Sequence, residues 1–392
     1  MFKNEFLYMA VTIFTLTFAI RASNNMLITT VPLISAYVFH FSSVLIGIVS
    51  SMLSISTFIS SFFINSRLDS SKRRSLFLIS SAIYALTFPL FFIANEILIL
   101  PLSFLAGFSL GFLFPNIITL SSSFNDRRKS EQMLALYTTA LSLSLIISPG
   151  LESLILQRFT LRQAFLFFSL LAFLVLAISL TIKFPESHRK RKVNSKAKEI
   201  IFSPKFLSPF FNNLMYDIPF AFIEVFGGIY AIDYFHASYS MATLLFTLYF
   251  LTSFIGRALF TLAAPSNIFR IIILNVVLSI TGLFLAFISF SISLYIISLL
   301  ILGIPHGLTY PSSLIIIERN FADDERSAAN SYFTGILIGL GGVVPMIMGG
   351  VVSLIGIRKS FLLLTMVVLA FFIMFFIKQR EIKNKEPSSS YP

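Results

Sequence analysis

"KFPESHRKRKVNSKAKEIIFSPK", residues 183–205, is the longest polar stretch of the chain and lies at its middle. Eight basic residues fall in it. On either side the sequence turns oily: the 392 residues are 56% hydrophobic and 12% charged, with a mean hydropathy of +0.89. A soluble chain carries about 25% charged residues. Water cannot solvate such a surface, so the surrounding solvent is lipid. A bilayer core takes about 20 apolar residues per helical span. Twelve runs of that kind are predicted, six before the polar stretch and six after it: 6–36, 43–64, 75–94, 97–121, 131–156, 163–183, 205–233, 239–262, 268–290, 293–317, 327–354 and 360–377. The first run is too long for a cleavable signal, and no small-residue cleavage site follows it.

The formal charge of +12 invites a nucleic-acid partner. The placement of the charges argues against one. Cytoplasmic loops of membrane proteins concentrate Lys and Arg. With the N-terminus inside, 24 of the 29 basic residues fall on the inner side and only Arg158, Arg162, Arg358 and Lys359 outside, Arg21 lying within a span. Both termini are therefore expected in the cytoplasm and the protein in the plasma membrane. The polar stretch then reads as a linker on an anionic leaflet. The domain plan is a bundle at 1–183, a linker at 184–204, a second bundle at 205–379 and a polar tail at 380–392. The chain has no cysteine, which excludes disulfides, thiolate metal sites and cysteine nucleophiles.

Sliding the second half back by 196 positions brings the halves into ungapped register. Phe39-His40 falls on Phe235-His236, Gly107, Gly111 and Pro115 on Gly303, Gly307 and Pro311, Pro149 on Pro345, and Arg162 and Phe165 on Arg358 and Phe361. Transporters are commonly built from such repeats. The same offset carries Arg21 onto Asp217. A lone charge at the bilayer centre costs about 2.5–3.5 kcal/mol on insertion scales, so a charge pair between these two is expected.

Between spans 2 and 3 the chain reads "NSRLDSSKRR", residues 65–74. This resembles the G-x-x-x-D-R-x-G-R-R loop of the major facilitator superfamily, with Asp69, Arg73 and Arg74 matching. "GFSLGFLFPN" of span 4 and "GIPHGLTYPS" of span 10 resemble its Gly- and Pro-rich cavity helices, and "ERNFADDERSAANSYF", residues 318–333, its connection between spans 10 and 11. The resemblance implies an all-α fold of two pseudo-symmetric six-helix bundles. It also implies alternating access around a cavity lined by spans 1, 4, 7 and 10, and a gating role for Asp69, Arg73 and Arg74. Two features depart from the proton-driven drug exporters of the family. Ser103 stands where they carry an Arg in span 4. In "SLIISPGLES", Ser144, Ser148, Glu152 and Ser153 stand at their glycine positions and only Pro149 survives.

Arg21, with Thr17, Asn24 and Asn25 at helical spacing, makes one face of span 1 polar. Such a face either ties span 1 to a neighbour or lines the cavity. Asp217 and Glu224 are seven residues apart on span 7 and nearly share a face. Burial disfavours the ionised form of a carboxyl, so an acid here can load and release protons. Glu224 is the better candidate, since Asp217 has Arg21 to face; the alternative is a permanently protonated Glu224 inside a bundle. His306, Tyr310 and Asn116 are candidate cavity residues, each with a packing reading beside it. Glu152 is expected at the interface, and His40 and His236 in solvent.

No G-x-x-x-x-G-K-[ST] motif is present and no His/Asp/Glu cluster has metal-ligand or hydrolase spacing. Primary active transport, catalysis and bound cofactors or metals are therefore not expected. The sequence points to a monomeric secondary transporter in the lipid bilayer that moves a small molecule with a proton or other coupling ion. The resemblance favours export over uptake of sugars or organic acids. The rival from another class is a non-transporting receptor with the same fold.

Overall fold

The computed structural model describes residues 2–67, 70–122, 124, 126–182, 197–263 and 267–385. Every regular element among them is helical. In the first half these are α1 (Phe2–Tyr37), α2 (Ser43–Ile59), α3 (Ser70–Phe92), α4 (Ile99–Ser121), α5 (Arg127–Leu156) and α6 (Leu161–Thr181). The short α7 (Ala197–Ile201) leads into α8 (Pro204–Phe222), which a π-helical turn at Ile223–Gly227 joins to α9 (Gly228–Phe235). Then come α10 (Tyr239–Ala263), α11 (Ile268–Ile288), α12 (Ile292–Asn320) and α13 (Asp323–Lys385).

Among the described residues, eleven helical segments are long and apolar enough to cross a membrane, the last being Ala328–Asn384 with 57 residues. That last run is broken at Gly356, where φ 79° and ψ 162° are not helical. Gly tolerates this left-handed φ because it has no Cβ. The break falls between the two apolar runs predicted at 327–354 and 360–377.

Local chemistry sets the starts. Ser42, Thr160, Ser203, Asn267 and Ser291 cap α2, α6, α8, α11 and α12 with their side chains. At α6 the cap is reciprocal, with Gln163 reaching back to Thr160. Large apolar residues such as Leu154, Leu170, Leu262 and Leu354 lie exposed. They suit lipid, which makes this a multi-pass integral membrane protein. Lipid offers no hydrophobic drive for helices to associate, so close approach at small residues and interhelical hydrogen bonds must do it.

The 196-residue offset is visible in geometry. His40 and His236 are the only non-glycine residues with positive φ among the described residues, at 52° and 55°. A Cβ on Gly107 would stand 2.0 Å from the Leu53 carbonyl oxygen, and one on Gly303 2.2 Å from that of Tyr249. Gly111 meets the Thr57 carbonyl in the same way, and Gly307 that of Ser253. Arg162 donates to the carbonyls of Phe92 and Ala94 at 3.2 and 2.7 Å, and Arg358 to that of Phe287 at 2.7 Å. Each cation thereby meets the negative end of a helix.

The chain divides into two compact units. Unit 1 comprises Met1–Lys190, Glu224–Thr247 and Gly341–Ser353; unit 2 comprises Arg191–Ile223, Leu248–Leu340 and Leu354–Pro392. Unit 1 takes in all of α9 and parts of α10 and α13 from the second half of the chain.

The linker departs from expectation at its end. Residues 183–196 lie outside the described set, but α7 is helical, and Ile200, only 3% exposed, packs with Phe206, Ile317, Phe321 and Phe333. An Ile-Ile pair in a polar stretch can be satisfied only by burial. At the other boundary, α13 continues past residue 379 to Lys385.

Candidate functional site

Unit 1 carries a polar group on α1. Arg21 is half-buried and donates to the Tyr137 hydroxyl of α5 at 3.0 Å. Its guanidinium lies 3.8 Å over the Phe114 ring of α4, a cation–π contact that partly compensates a desolvated charge. Its Nε has no hydrogen-bond partner, nor have the buried Asn25 Nδ2 and Thr17 Oγ1. Asn24 is buried on the same helix. Asn116 of α4 is 1% exposed, and its amide donates to Asn65 Oδ1 at 2.8 Å and to the Phe112 carbonyl at 2.7 Å. Both of its hydrogens are thus engaged, one on α4 itself and one on the helical turn that follows α2.

Unit 2 carries a second group on α8, α10 and α12. Asp217 is half-buried and accepts from Asn213 Nδ2 at 2.5 Å. The pairing of Arg21 with Asp217 expected from the offset joins residues of different units, and each is described here by partners in its own. His306 Nδ1 lies 2.6 Å from Ser253 Oγ. The imidazole is packed by Tyr216, Phe220, Tyr249 and Phe250 at centroid distances of 5.4, 4.5, 5.5 and 5.4 Å. The buried hydroxyls of Tyr216 and Tyr249 have no partner. Tyr310 is exposed and stacks on Phe333.

Arg257 was counted from the sequence as a cytoplasmic residue. The structure places it inside α10, half-buried, close enough to His306 and Tyr310 to interact electrostatically. Its Nε is buried without a partner. The signal was available, since residue 257 lies inside the predicted span 239–262 as Arg21 lies inside the first.

Glu152 is a second correction. It is not interfacial but 0% exposed. Thr29 Oγ1 donates to its Oε2 at 2.6 Å, and Thr30 Oγ1 donates to Oε1. Ser144, Ser148 and Glu152 recur every fourth residue and form one buried stripe of α5. Ser148 donates to the Ala22 carbonyl at 2.6 Å, so the stripe faces α1. Serines at the family's glycine positions marked this as the packed face, which the acid shares.

Glu224 sits in the π-helical turn after α8 and is half-buried. Of the gating residues, Asp69 lies outside the described residues, while Arg73 is half-buried and Arg74 exposed near the start of α3.

Unit 1 is closed at the end formed by its short turns at residues 38–42, 93–98, 157–160 and 236–238. Tyr37 donates to Asp233 at 2.7 Å, residues 196 apart, and its ring tilts against Tyr239. Ser153 and Ser240 are joined at 2.9 Å, and Thr247 donates to the Ile146 carbonyl at 3.0 Å. A Cβ on Gly47 would stand 2.4 Å from the Pro345 carbonyl oxygen, and one on Gly349 2.5 Å from that of Ser43. Backbone meets backbone there, so α2 and α13 pack in direct contact.

Two repeats of apolar helices with charged side chains inside them define a multi-pass membrane protein with a polar interior. The sequence pattern of the Major Facilitator Superfamily matches residues 13–234 and 206–390. The chain belongs to that family. No curated protein sequence is a significant match. Solved structures similar to it include the nucleoside transporter NupG, as a mutant, at 13% identity with TM-score 0.78 over 94% of this chain and 99% of that one. A bacterial homolog of the human lysosomal transporter Spinster, inward-facing and occupied, is similar at 14% identity with TM-score 0.74 over 99% of both chains. The POT family transporter PepTSo is similar at 10% identity with TM-score 0.78 over 97% of this chain and 99% of that one. These likenesses are of fold.

Proposed function

We propose that the protein is a monomeric, proton-coupled secondary transporter for a small organic solute bearing an acidic group, working by alternating access. The observation that carries the solute class is an arginine inside a helix of each unit, Arg21 and Arg257, each with a buried Nε left without a partner. A buried donor without an acceptor is costly, and a carboxylate or phosphate accepts from guanidinium well. Aromatic side chains beside both arginines suit a solute that also has an apolar part. Asn24, Asn25, Asp217, His306 and Tyr310 complete the binding groups, with Asn116 as a structural neighbour. Glu224 and Asp217 are the proton-coupling candidates, and Asp69, Arg73 and Arg74 belong to a gate.

Counting Asp323–Lys385 as two spans broken at Gly356 gives twelve. The distribution of Lys and Arg supports cytoplasmic termini and a plasma-membrane location. The closed short-turn end of unit 1 would then face outward. Export is favoured by the sequence resemblance alone.

A thermal-shift screen on purified protein tests this, because a solute that binds the folded state raises apparent stability. Solutes with a carboxylate or phosphate should raise the melting temperature more than neutral or amine analogues of the same shape. Arg21→Gln and Arg257→Gln should each remove most of that difference. Stabilisation by amines and not by acids would overturn the solute class.

A further inference from the structure

We propose that Glu152 is a proton-binding site that governs closure of the short-turn end of unit 1. The inference rests on the reading of the chain as a carrier, and adds to it an acid that neither the repeat nor the family motif supplies. The residue at the equivalent place in the second repeat is Met348.

The argument begins with the hydrogen-bond inventory. Glu152 is wholly buried, and its hydrogen bonds are those to Thr29 and Thr30. Thr29 Oγ1 also lies 3.1 Å from the carbonyls of both Asn25 and Met26. The single Thr29 hydrogen is shared between the carboxyl and helix carbonyls that already accept from the backbone, so the carboxyl receives little hydrogen-bond compensation. A neutral carboxyl suits this arrangement, because its own O–H can donate to the Thr29 oxygen while the Thr29 hydrogen stays with α1. An ionised carboxylate would instead hold a negative charge in a fully buried site with two hydroxyls as its hydrogen-bond partners, which is strongly unfavourable.

Several charged and titratable groups of the neighbouring elements are engaged elsewhere. On α1, Arg21 binds Tyr137 and Tyr37 binds Asp233. On α6, Arg162 binds the carbonyls of Phe92 and Ala94. Arg158 is exposed, and Tyr239 leans on Tyr37. Glu224, Tyr230 and Tyr234 lie on α9 or the turn before it. Helix α4 carries no titratable residue.

The adjacent residue links this carboxyl to the closure. Ser153 makes the 2.9 Å contact with Ser240 of α10. With Glu152 neutral, α5 can pack against α1 and α10 together. When Glu152 gives its proton to water, the O–H bond breaks and the carboxylate must be hydrated. Water can reach it only if α5 parts from α1 or α10, which opens the short-turn end. Proton return from hydronium reforms the O–H bond and allows closure.

The chain has no cysteine, so cross-linking reports the closure without a background. Ser153→Cys with Ser240→Cys forms the gate pair. Ser81→Cys with Ser179→Cys, whose hydroxyls lie 2.8 Å apart between α3 and α6, forms a reference pair within the bundle. Both are oxidised in the full chain in lipid nanodiscs, without solute, from mildly acidic to mildly alkaline buffer. The ratio of gate to reference rates cancels the pH dependence of thiol oxidation. It should fall about tenfold toward alkaline buffer, a change of about 1.4 kcal/mol in the closure equilibrium. With Glu152→Gln, or with Glu152→Met copying the other repeat, it should stay flat at its acidic value. A flat ratio in the parent overturns the proposal, as does an unchanged fall in either variant. Should neither variant fold, Thr29→Val must move the midpoint of the parent curve, and an unmoved midpoint overturns the assignment. No solute enters these measurements, so a failure here is distinct from failure of the solute class or of proton-coupled flux.

Discussion

At Gly107 and Gly303 the two halves of the chain solve one problem twice. In each, α4 or α12 presses against the backbone of the helix paired with it, at Leu53 or at Tyr249. At residue 21 and its counterpart 217 the halves do opposite things, one carrying a cation and the other an anion. The buried acid Glu152 faces no repeat at all, since its counterpart is Met348. Contacts between backbones tolerate no change of side chain, so they persist in both copies. Side chains are freer to diverge, and the proposed solute- and proton-binding residues are among those that do.

The shared part of this comparison breaks most severely. Gly107→Val and Gly303→Val should each cost about 3 kcal/mol or more, because overpacking against backbone cannot be relieved by a rotamer. Neither should yield monodisperse protein by size exclusion, whereas Gly341→Ala, with nothing within 4 Å of the added carbon, should. Tolerance of valine at both sites would mean that the repeat is not closely packed.

The divergent part should fail in function instead. Glu224→Gln should abolish solute-driven proton movement in proteoliposomes while leaving part of solute exchange. Unchanged proton movement would move the coupling role to Asp217 or Glu152. Asp69→Asn should reduce flux more than binding, and an equal loss of both at normal expression would remove it from the gate. The smallest effect is expected at Tyr37→Phe. Losing its bond to Asp233 removes about 0.5–1.5 kcal/mol from the closed end, which should slow cross-linking of the Ser153→Cys and Ser240→Cys pair by about tenfold at most. An effect as large as that of Glu224→Gln would make this pair the main lock.

Much of the skeleton was legible in the sequence. The apolar runs and the matched glycines and prolines identify an all-helical membrane protein with an internal repeat, because lipid forces long apolar runs and close packing forces small residues. The candidate site was only partly legible. Arg21 and Asp217 stood out as charges inside apolar runs. Arg257 stood inside one too, but proximity to the run's end allowed it to be read as a loop residue. Glu152 was missed because a carboxyl one turn from a helix end can be solvated or buried, and only the partner helix decides. Its partners Thr29 and Thr30 lie 123 and 122 residues away, beyond any local pattern. The aromatic packing around His306 draws on α8, α10 and α12, and no spacing along one helix reveals it.

The docking of Ile200 has a consequence for how the polypeptide can be cut. Residues 197–201 belong to the packed body that follows them, so the polar stretch is not free linker as far as residue 204. A new chain end placed before residue 197 would leave Ile200 seated on Phe206 and Phe333, whereas one placed after 201 would strip that apolar cover from the second fragment. Fragments 1–190 and 191–392, produced as separate polypeptides, should therefore associate into a carrier, and the same division at 203 should yield a second fragment prone to aggregate.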